Sequence, residues 1–510
     1  MRRALPVLIG CALILGTTAA WGAPLTHDTA PSLSDEELGH LRNFAHLVNQ
    51  DLDDWTGWEA SDQKGMDAYR YQIAFMTYAL SLQQYHSVPA YRDVYQDTID
   101  RLITRMIQKP VWEFWEQVSQ SSPQFDPDYE GPRPAVKDPV GEKNIMYSGH
   151  IIHMIALYES LYRDMRWSEP DALAFCWDSE LTFEYDYADL VDIIHKEMMA
   201  PRMGGSDVGA MECEPNLVFP ECNQHPALAF MLFDKLRGTD YAAVTNPALK
   251  SFFENTEMHD SKSTHTAAWY MIKQDKVQRV PFMNSASADG WTGAFMHAWD
   301  PEYIESLYKM QRADYITRDS KTGAVKLAPD PARELGLAFF ANLAMEVGDR
   351  EAADILFAYA DQHYTPVNDN AGFRYAYDKK NKTHPVSNTT DKLMALARSN
   401  RPGGLWKLHN EPWEKAELGT PVLRKVDFPS VLVRQAIWDD ESDSLLFSLE
   451  PSGEGAGETT FEMAQLDPSL EYELYRDGER LESEVRKIDE TTLAVSLPID
   501  APTRFTLKFK

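Results

Sequence analysis

The sequence predicts a mainly α protein: an (α/α)6 barrel over residues 30–405 followed by a small β-sandwich over residues 420–510. Three observations lead there. From about Ser34 to Ala397, segment after segment carries apolar residues at helical spacing. The segments are separated by short loops rich in Gly, Pro, Asp and Asn, without strand alternation between them, so consecutive helices pair as antiparallel hairpins. After Arg401-Pro402-Gly403-Gly404 the apolar period changes from helical to alternating. About a dozen helices make six hairpins that close into a ring, although the count alone equally builds an open solenoid.

Taken in order, the chain opens with Arg2 and Arg3, an apolar run from Ala4 to Leu15 and small residues up to Ala23. This is the pattern of a secretory signal over residues 1–23 and predicts a secreted or periplasmic protein. A run of about 12 apolar residues falls short of the ~20 that a bilayer span requires, so no stable membrane insertion is expected after cleavage. Leu8-Ile9-Gly10-Cys11 resembles a lipoprotein box, but the apolar region continues past Cys11, which favours ordinary cleavage near Ala20 or Ala23.

Helices are predicted near 34–50, 66–86, 89–108, 143–165, 180–199, 222–237, 240–256, 285–298, 301–314, 331–347, 350–363 and 388–398. Ser34 ahead of Glu36-Glu37, and Asp300-Pro301 ahead of Glu302, are helix starts. Between Gln117 and Lys137 the Pro-rich stretch is a loop long enough to serve as a lid or interface. In the C-terminal part, Val431–Val433, Leu445–Leu449, Thr459–Met463, Tyr472–Tyr475, Thr492–Val495 and Arg504–Phe509 alternate as strands, and Asp477-Gly478 is a hairpin turn. Nothing in that region forms a catalytic constellation, so it is expected to be an accessory or interface module.

The formal net charge of −30 argues against nucleic acid or anionic lipid as partners. Of the 4 cysteines, Cys176, Cys213 and Cys222 lie beyond the signal, and an odd number leaves at least one unpaired in a monomer.

Two turn-rich stretches run into helical patterns and carry the residues able to do chemistry. One is Asp138 to His150, ending Asn144-Ile145-Met146-Tyr147-Ser148-Gly149-His150; the other is Cys213-Glu214-Pro215 through Glu221-Cys222-Asn223. His150, with an ordinary pKa of ~6.5, is a natural proton carrier, though a histidine at a helix start also serves as a cap or core residue. Cys213 and Cys222 flank a Pro-containing loop. They are either a small disulfide of an oxidising compartment or a pair of reactive thiols. With His150 they make a weak metal signal, since a closed zinc site needs four ligands and no fourth is placed.

These blocks resemble the linalool dehydratase/isomerase family. The likeness extends to Arg70-Tyr71-Gln72-Ile73-Ala74-Phe75, to Arg237-Gly238-Thr239-Asp240-Tyr241, and to Trp291 through Asp300-Pro301. It covers roughly residues 65 to 400 and excludes the C-terminal hundred. It implies the (α/α)6 barrel and a cofactor-independent hydro-lyase or isomerase acting on a small hydrophobic, terpenoid or alkenol-like, alcohol. It also implies free thiols at Cys213 and Cys222 that take part in the chemistry, with His150 beside them and Tyr71 reaching the substrate hydroxyl. Met146 and Phe219 match apolar pocket walls, and the family implies a homo-oligomer.

Departures from the family pattern are equally specific. The first-helix aspartate and tyrosine of the family have no residue-by-residue match in His46 to Trp58, where Asp51, Asp53 and Asp54 stand. Gln108 occupies the place of one cysteine of a family disulfide. Ser287 replaces a pocket tyrosine, and Asp289, two residues on, is either a solvated carboxylate or the missing acid and substrate contact. Two rival readings remain. Exported glycan hydrolases and lyases also join an (α/α)6 barrel to a β-sandwich, and the 13 tryptophans, Trp112 and Trp115 among them, suit sugar stacking. A non-catalytic binding protein with Cys213–Cys222 as a staple is the other.

Overall fold

Ser34 starts the first helix as its sequence predicts. Its hydroxyl accepts the Glu37 N–H at 3.2 Å while the Glu37 carboxylate accepts the Ser34 N–H at 2.8 Å, a reciprocal cap of about 1 kcal/mol. The computed structural model describes residues 24–60, 62–200, 209–262, 264–279, 285–328, 334–453 and 457–509. The signal expected at 1–23 lies outside the described residues, among which no helix is long and apolar enough to cross a membrane.

The helical part contains α1 (Asp35–Val48), α2 (Tyr69–Ser87), α3 (Asp93–Met106), α4 (Ile145–Tyr162), α5 (Tyr187–Met199), α6 (Gln224–Arg237) and α7 (Tyr241–Asn255). It continues with α8 (Ser285–Met296), α9 (Pro301–Tyr315), α10 (Glu334–Glu346), α11 (Arg350–His363), α12 (Asn388–Ser399) and the short α13 (Gly404–Asn410). The even-numbered helices α2, α4, α6, α8, α10 and α12 each pack on the next, and α12 packs back on α2, closing a ring. The odd-numbered α1 to α11 lie outside it, each against a ring helix, and α13 packs on α2, α6 and α10.

Sequence explains which helix goes where. Ring helix α4 is buried from Ile145 to Leu161, as an all-round apolar helix must be. Outer helix α3 buries one face, with the apolar stripe Tyr95, Ile99, Leu102, Ile103 and Met106 beside Thr98 and Arg105, each full apolar burial contributing about 1.5–3 kcal/mol. At Gly290 a Cβ would meet Phe339 C at 2.4 Å and Phe340 N at 2.5 Å. Only glycine therefore lets α8 approach α10 that closely.

Strands do occur among the helices, contrary to the sequence expectation. Leu173–Cys176 pairs with Thr182–Tyr185, Ile316–Arg318 with Val325–Leu327, and Pro366–Asp369 with Gly372–Tyr375. Leu217–Val218 joins Trp269–Met271 and Lys276–Gln278 in a small sheet. At two to four residues each, these are too short for alternation to register.

The C-terminal region is β-rich: β1 (Val422–Arg424), β2 (Val431–Asp439), β3 (Ser444–Pro451), β4 (Glu458–Ala464), β5 (Tyr472–Arg476), β6 (Glu479–Leu481), β7 (Val485–Asp489), β8 (Thr492–Pro498) and β9 (Thr503–Phe509). They form antiparallel sheets of order β1-β4-β8-β7 and β2-β3-β9-β5-β6, three strands more than the pattern foretold. Phe461 of the first sheet meets Phe447 and Phe505 of the second at 5.6 and 5.3 Å, so the sheets share a core. Asp477 and Gly478 both take positive φ between β5 and β6, the two-residue turn expected there. Strand hydrogen bonds tie this region to the helices: Leu33 N–H to Arg434 O at 2.9 Å, Ala90 N–H to Ala436 O at 3.0 Å, and Leu423 N–H to Ala90 O at 2.8 Å.

Candidate functional site

The two turn-rich stretches are stitched together at the mouths of α4 and α6. Lys143 and Asn144 adopt left-handed φ values of 59° and 62°, which turns the chain into α4. The Ile145 N–H then donates to Glu212 O at 3.2 Å. Cys213 N–H bonds Leu217 O and Leu217 N–H bonds Glu214 O, both at 2.9 Å, making a tight turn. Asn223 clasps the loop at its base: its Oδ1 accepts Met211 N–H at 2.7 Å and its Nδ2 donates to Met211 O at 3.0 Å and Phe219 O at 2.9 Å. A Cβ on Gly149 would lie 3.4 Å from Cys222 O and 3.2 Å from Pro226, so the glycine before His150 admits the second cysteine.

Hydrogen bonds of the backbone and of the Asn223 side chain, not a disulfide, thus close the Cys213–Cys222 loop. Both thiols are free and buried, and they lie close enough for each to shift the other's proton affinity. Tyr71 is close enough to both thiols and to Glu214 for their charges to act on its hydroxyl, and its ring meets His150 edge-on at 5.5 Å. Phe75 and Trp291 complete an aromatic enclosure, at 5.9 and 6.0 Å from His150, and Trp291 stacks on Phe339 at 4.7 Å. Arg70, fully buried, donates to Met146 Sδ at 3.2 Å, while its Nε has no hydrogen-bond partner among the described residues.

His150 Nδ1 lies 2.8 Å from Tyr78 Oη, and Nε2 is buried without a partner among the described residues. Tyr78, also buried, has no other acceptor for its hydroxyl hydrogen among those residues. The phenol therefore donates to Nδ1, and the imidazole carries its own N–H on Nε2.

Burial sets the protonation states. It pushes His150 well below the ordinary 6.5, helped by His153 and the Arg70 charge. At neutral pH His150 is therefore a neutral N–H donor and not the titrating proton carrier that its residue type suggests. Burial raises Cys213 well above 9.0, and the neighbouring Cys222 raises it further. Burial raises Cys222 too, but the neighbouring Cys213 and Arg70 oppose the shift. Both start as thiols, and Cys222 is the better placed to hold a transient negative charge. Burial lifts Glu214 to about 7, against the pull of Arg70, and Glu221 to about 8, with the Glu214 charge adding.

Other expected residues lie differently. Phe219 is half-buried and packs on Trp269 at 5.5 Å. Asp289 is fully buried and so is not the solvated carboxylate of one expectation. Its Oδ2 accepts from Tyr315 Oη at 2.5 Å and His265 Nδ1 at 2.6 Å, and its Oδ1 accepts Thr266 N–H at 2.6 Å. Its recorded bonds thus run to neighbours of α8 and α9, and none to His150 or the thiols. Asp51, Asp53 and Asp54 are exposed, and Arg105 holds the backbone carbonyls of Asp51 and Asp54 at 2.9 and 3.1 Å. Cys176 is exposed. Among the described residues no group of three or more His, Cys, Asp or Glu is arranged to hold a metal ion.

Sequence reasoning passed over Tyr78, His225, Glu214 and Glu221. A signal existed for each. Tyr78 lies two turns beyond Tyr71 on one helix face, His225 follows Cys222 at the mouth of α6, and a glutamate adjoins each thiol. The Glu221 and Glu214 carboxyls each bury an Oε2 with no hydrogen-bond partner among the described residues.

A family model described as linalool dehydratase/isomerase matches residues 70–381. Among solved structures, a GH76 alpha-mannanase of Bacteroides thetaiotaomicron is similar at 11% identity and TM-score 0.41, covering 73% of this chain and 97% of that one. An unsaturated glucuronyl hydrolase specific for heparin is similar at 8% identity and TM-score 0.40, covering 74% and 99%. A GH127 beta-L-arabinofuranosidase of Geobacillus stearothermophilus T6 is similar at 12% identity and TM-score 0.33, covering 93% and 76%. Likenesses at these scores carry no inference about activity.

Proposed function

The chain belongs to the linalool dehydratase/isomerase family, and from that premise we propose that it is an exported, cofactor-independent hydro-lyase or isomerase of a small hydrophobic alcohol. The closed ring of helices is read as an (α/α)6 barrel with its site at one mouth, and the C-terminal sheets as a β-sandwich accessory domain.

One observation carries the reading: two free, buried thiols adjoin each other beside Tyr71 and Arg70, near a neutral His150 with an open Nε2. His150 N–H and Tyr71 O–H hold the substrate oxygen. Cys222 S–H gives its proton to the departing hydroxyl, which leaves as water, and the C–O electron pair goes with the oxygen. The Cys213 S–H and the Arg70 charge stabilise the thiolate that remains. That thiolate takes the proton from the neighbouring carbon, the C–H pair becomes the double bond, and the thiol is restored. The aromatic faces of Tyr71, Phe75 and Trp291 keep water from the cation-like state and favour positive charge above them. Met146 and Phe219 wall the substrate, and Asp289 braces α8, which carries Trp291.

The test is to incubate the protein with linalool and shorter tertiary and allylic alcohols in D2O. Alkene release, or deuterium entering recovered alcohol, supports the reading; neither product with any alcohol sinks it. Glu214 and Glu221 are also the residue type that a glycosidase uses, so release of reducing sugar from oligosaccharides would identify that class instead.

A further inference from the structure

Behind His150 a line of buried side chains crosses the ring. Trp291 Nε1 lies 2.9 Å from His225 Nε2, His225 Nδ1 3.2 Å from His153 Nδ1, His153 Nε2 2.8 Å from His409 Nε2, and His409 Nδ1 2.7 Å from Leu405 O. All three histidines are fully buried. The residues come from α8, α6, α4 and α13, so the line joins three ring helices to the short helix packed on the ring.

Its ends determine its interior. An indole N–H can only donate and a backbone carbonyl can only accept. His225 Nε2 must therefore accept, which puts its hydrogen on Nδ1. His153 Nδ1 must accept in turn and carries its hydrogen on Nε2. His409 Nε2 accepts, and its Nδ1–H reaches Leu405 O. Each neutral imidazole has one N–H, and this is the only assignment that satisfies all four contacts. An extra proton on any ring would set N–H against N–H.

We propose that His225, His153 and His409 form a static, one-way hydrogen-bonded rod that positions the Trp291 indole at the site, and that none of the three relays protons. A relay needs ends that exchange protons, and neither an indole N–H nor an amide carbonyl does so at neutral pH. Burial favours the uncharged form of every member. Although the His225 ring sits 4.0 Å from that of His150, both its nitrogens are occupied. Within this histidine cluster His150 alone keeps an open ring nitrogen. The functional consequence rests on the proposed dehydration: uncharged imidazoles beside Trp291 leave its face free to meet a cation-like intermediate.

The rod is tested first without turnover. Solid-state 15N NMR of the whole chain labelled in its histidine rings, assigned with single His→Asn variants, should show hydrogen on Nδ1 of His225 and His409 and on Nε2 of His153. An imidazolium at neutral pH, or the opposite tautomer at His153, overturns it. His153→Gln keeps one acceptor and one donor in line, whereas His153→Leu keeps neither. With an alcohol that the wild type converts, the Leu variant should lose about tenfold or more in kcat at similar KM, and the Gln variant should recover most of it. Equal kcat in folded Leu variant and wild type overturns the positioning role. If the tautomers are as assigned while the wild type converts no alcohol, the dehydratase reading fails and the rod stands.

Discussion

The Tyr78 hydroxyl donates to His150 Nδ1 across 2.8 Å, and that bond decides that His150 offers the pocket an N–H and not a lone pair. A buried carboxylate would accept from Nδ1–H and leave Nε2 a lone pair; this phenol donates to Nδ1 and fixes the opposite tautomer without adding charge. Tyr78→Phe should therefore release the tautomer with little change in volume. Turnover is expected to fall by about 10- to 100-fold, the equivalent of one buried hydrogen bond of about 1–3 kcal/mol. The measurement is kcat/KM together with the melting temperature. Unchanged kcat/KM in the folded variant would show that the tautomer is immaterial.

Cys222→Ala and Cys213→Ala separate a catalytic pair from a mere packing pair. General acid–base catalysis contributes roughly 10²–10⁴-fold, and Cys222→Ala should lose that much while the barrel stays folded. Cys213→Ala should lose less, since it removes only the S–H that steadies the thiolate. Alkylation of the native protein should inactivate slowly, because burial keeps both sulfurs protonated. Rates in the alanine variants equal to wild type would end the acid–base assignment.

Glu221 gives a pH signature in stability. Its folded pKa is raised to about 8 from 4.5, so its contribution is fully present below pH 4.5 and is lost as pH rises through about 8. Between pH 6 and pH 9 this amounts to about 2–3 kcal/mol. Glu221→Gln should flatten the alkaline limb of denaturant unfolding by that amount. An alkaline limb as steep in the variant as in wild type would mean that Glu221 is ionised in the fold.

The acid limb belongs to the histidines. His409 is lowered to about 4 by burial, so its favourable term holds above 6.5 and disappears as pH falls towards 4. His409→Leu should lose stability at pH 7, because His153 is left without an acceptor, yet show a shallower fall from pH 6.5 to 4. Unfolding curves at the two pH values check both signs.

Arg434 ties the β-rich region to the helices. It donates to Leu33 O at 2.8 Å and pairs with Asp35 at 2.5 Å and Glu450 at 2.7 Å. Arg434→Ala should lower stability by about 1–3 kcal/mol, discounted at Asp35 because that carboxylate is exposed. Turnover per folded molecule should be unchanged, since the Arg434 side chain bonds only Leu33, Asp35 and Glu450 among the described residues. A selective loss of kcat would instead make the β-rich region part of the machinery.

By itself the sequence determined what depends on near neighbours along the chain. Helical periodicity and caps located the ring and outer helices, because a 3.6-residue apolar period is a local property. Asp477-Gly478 announced its hairpin for the same reason. The paired blocks around His150 and Cys213–Cys222 marked the candidate site, because each block is a run of chain neighbours. Tertiary structure decided the rest. That the loop closes through Asn223 and not through sulfur, and that Asp289 bonds His265 and Tyr315, depends on residues brought together from separate helices. So do the protonation states. His150, Cys222 and Glu221 are ordinary titrating residues in the sequence. Burial holds His150 neutral and Cys222 a thiol over a wider pH range and turns Glu221 into a protonated acid, because desolvation is set by what surrounds a group in space and not by what adjoins it in the chain.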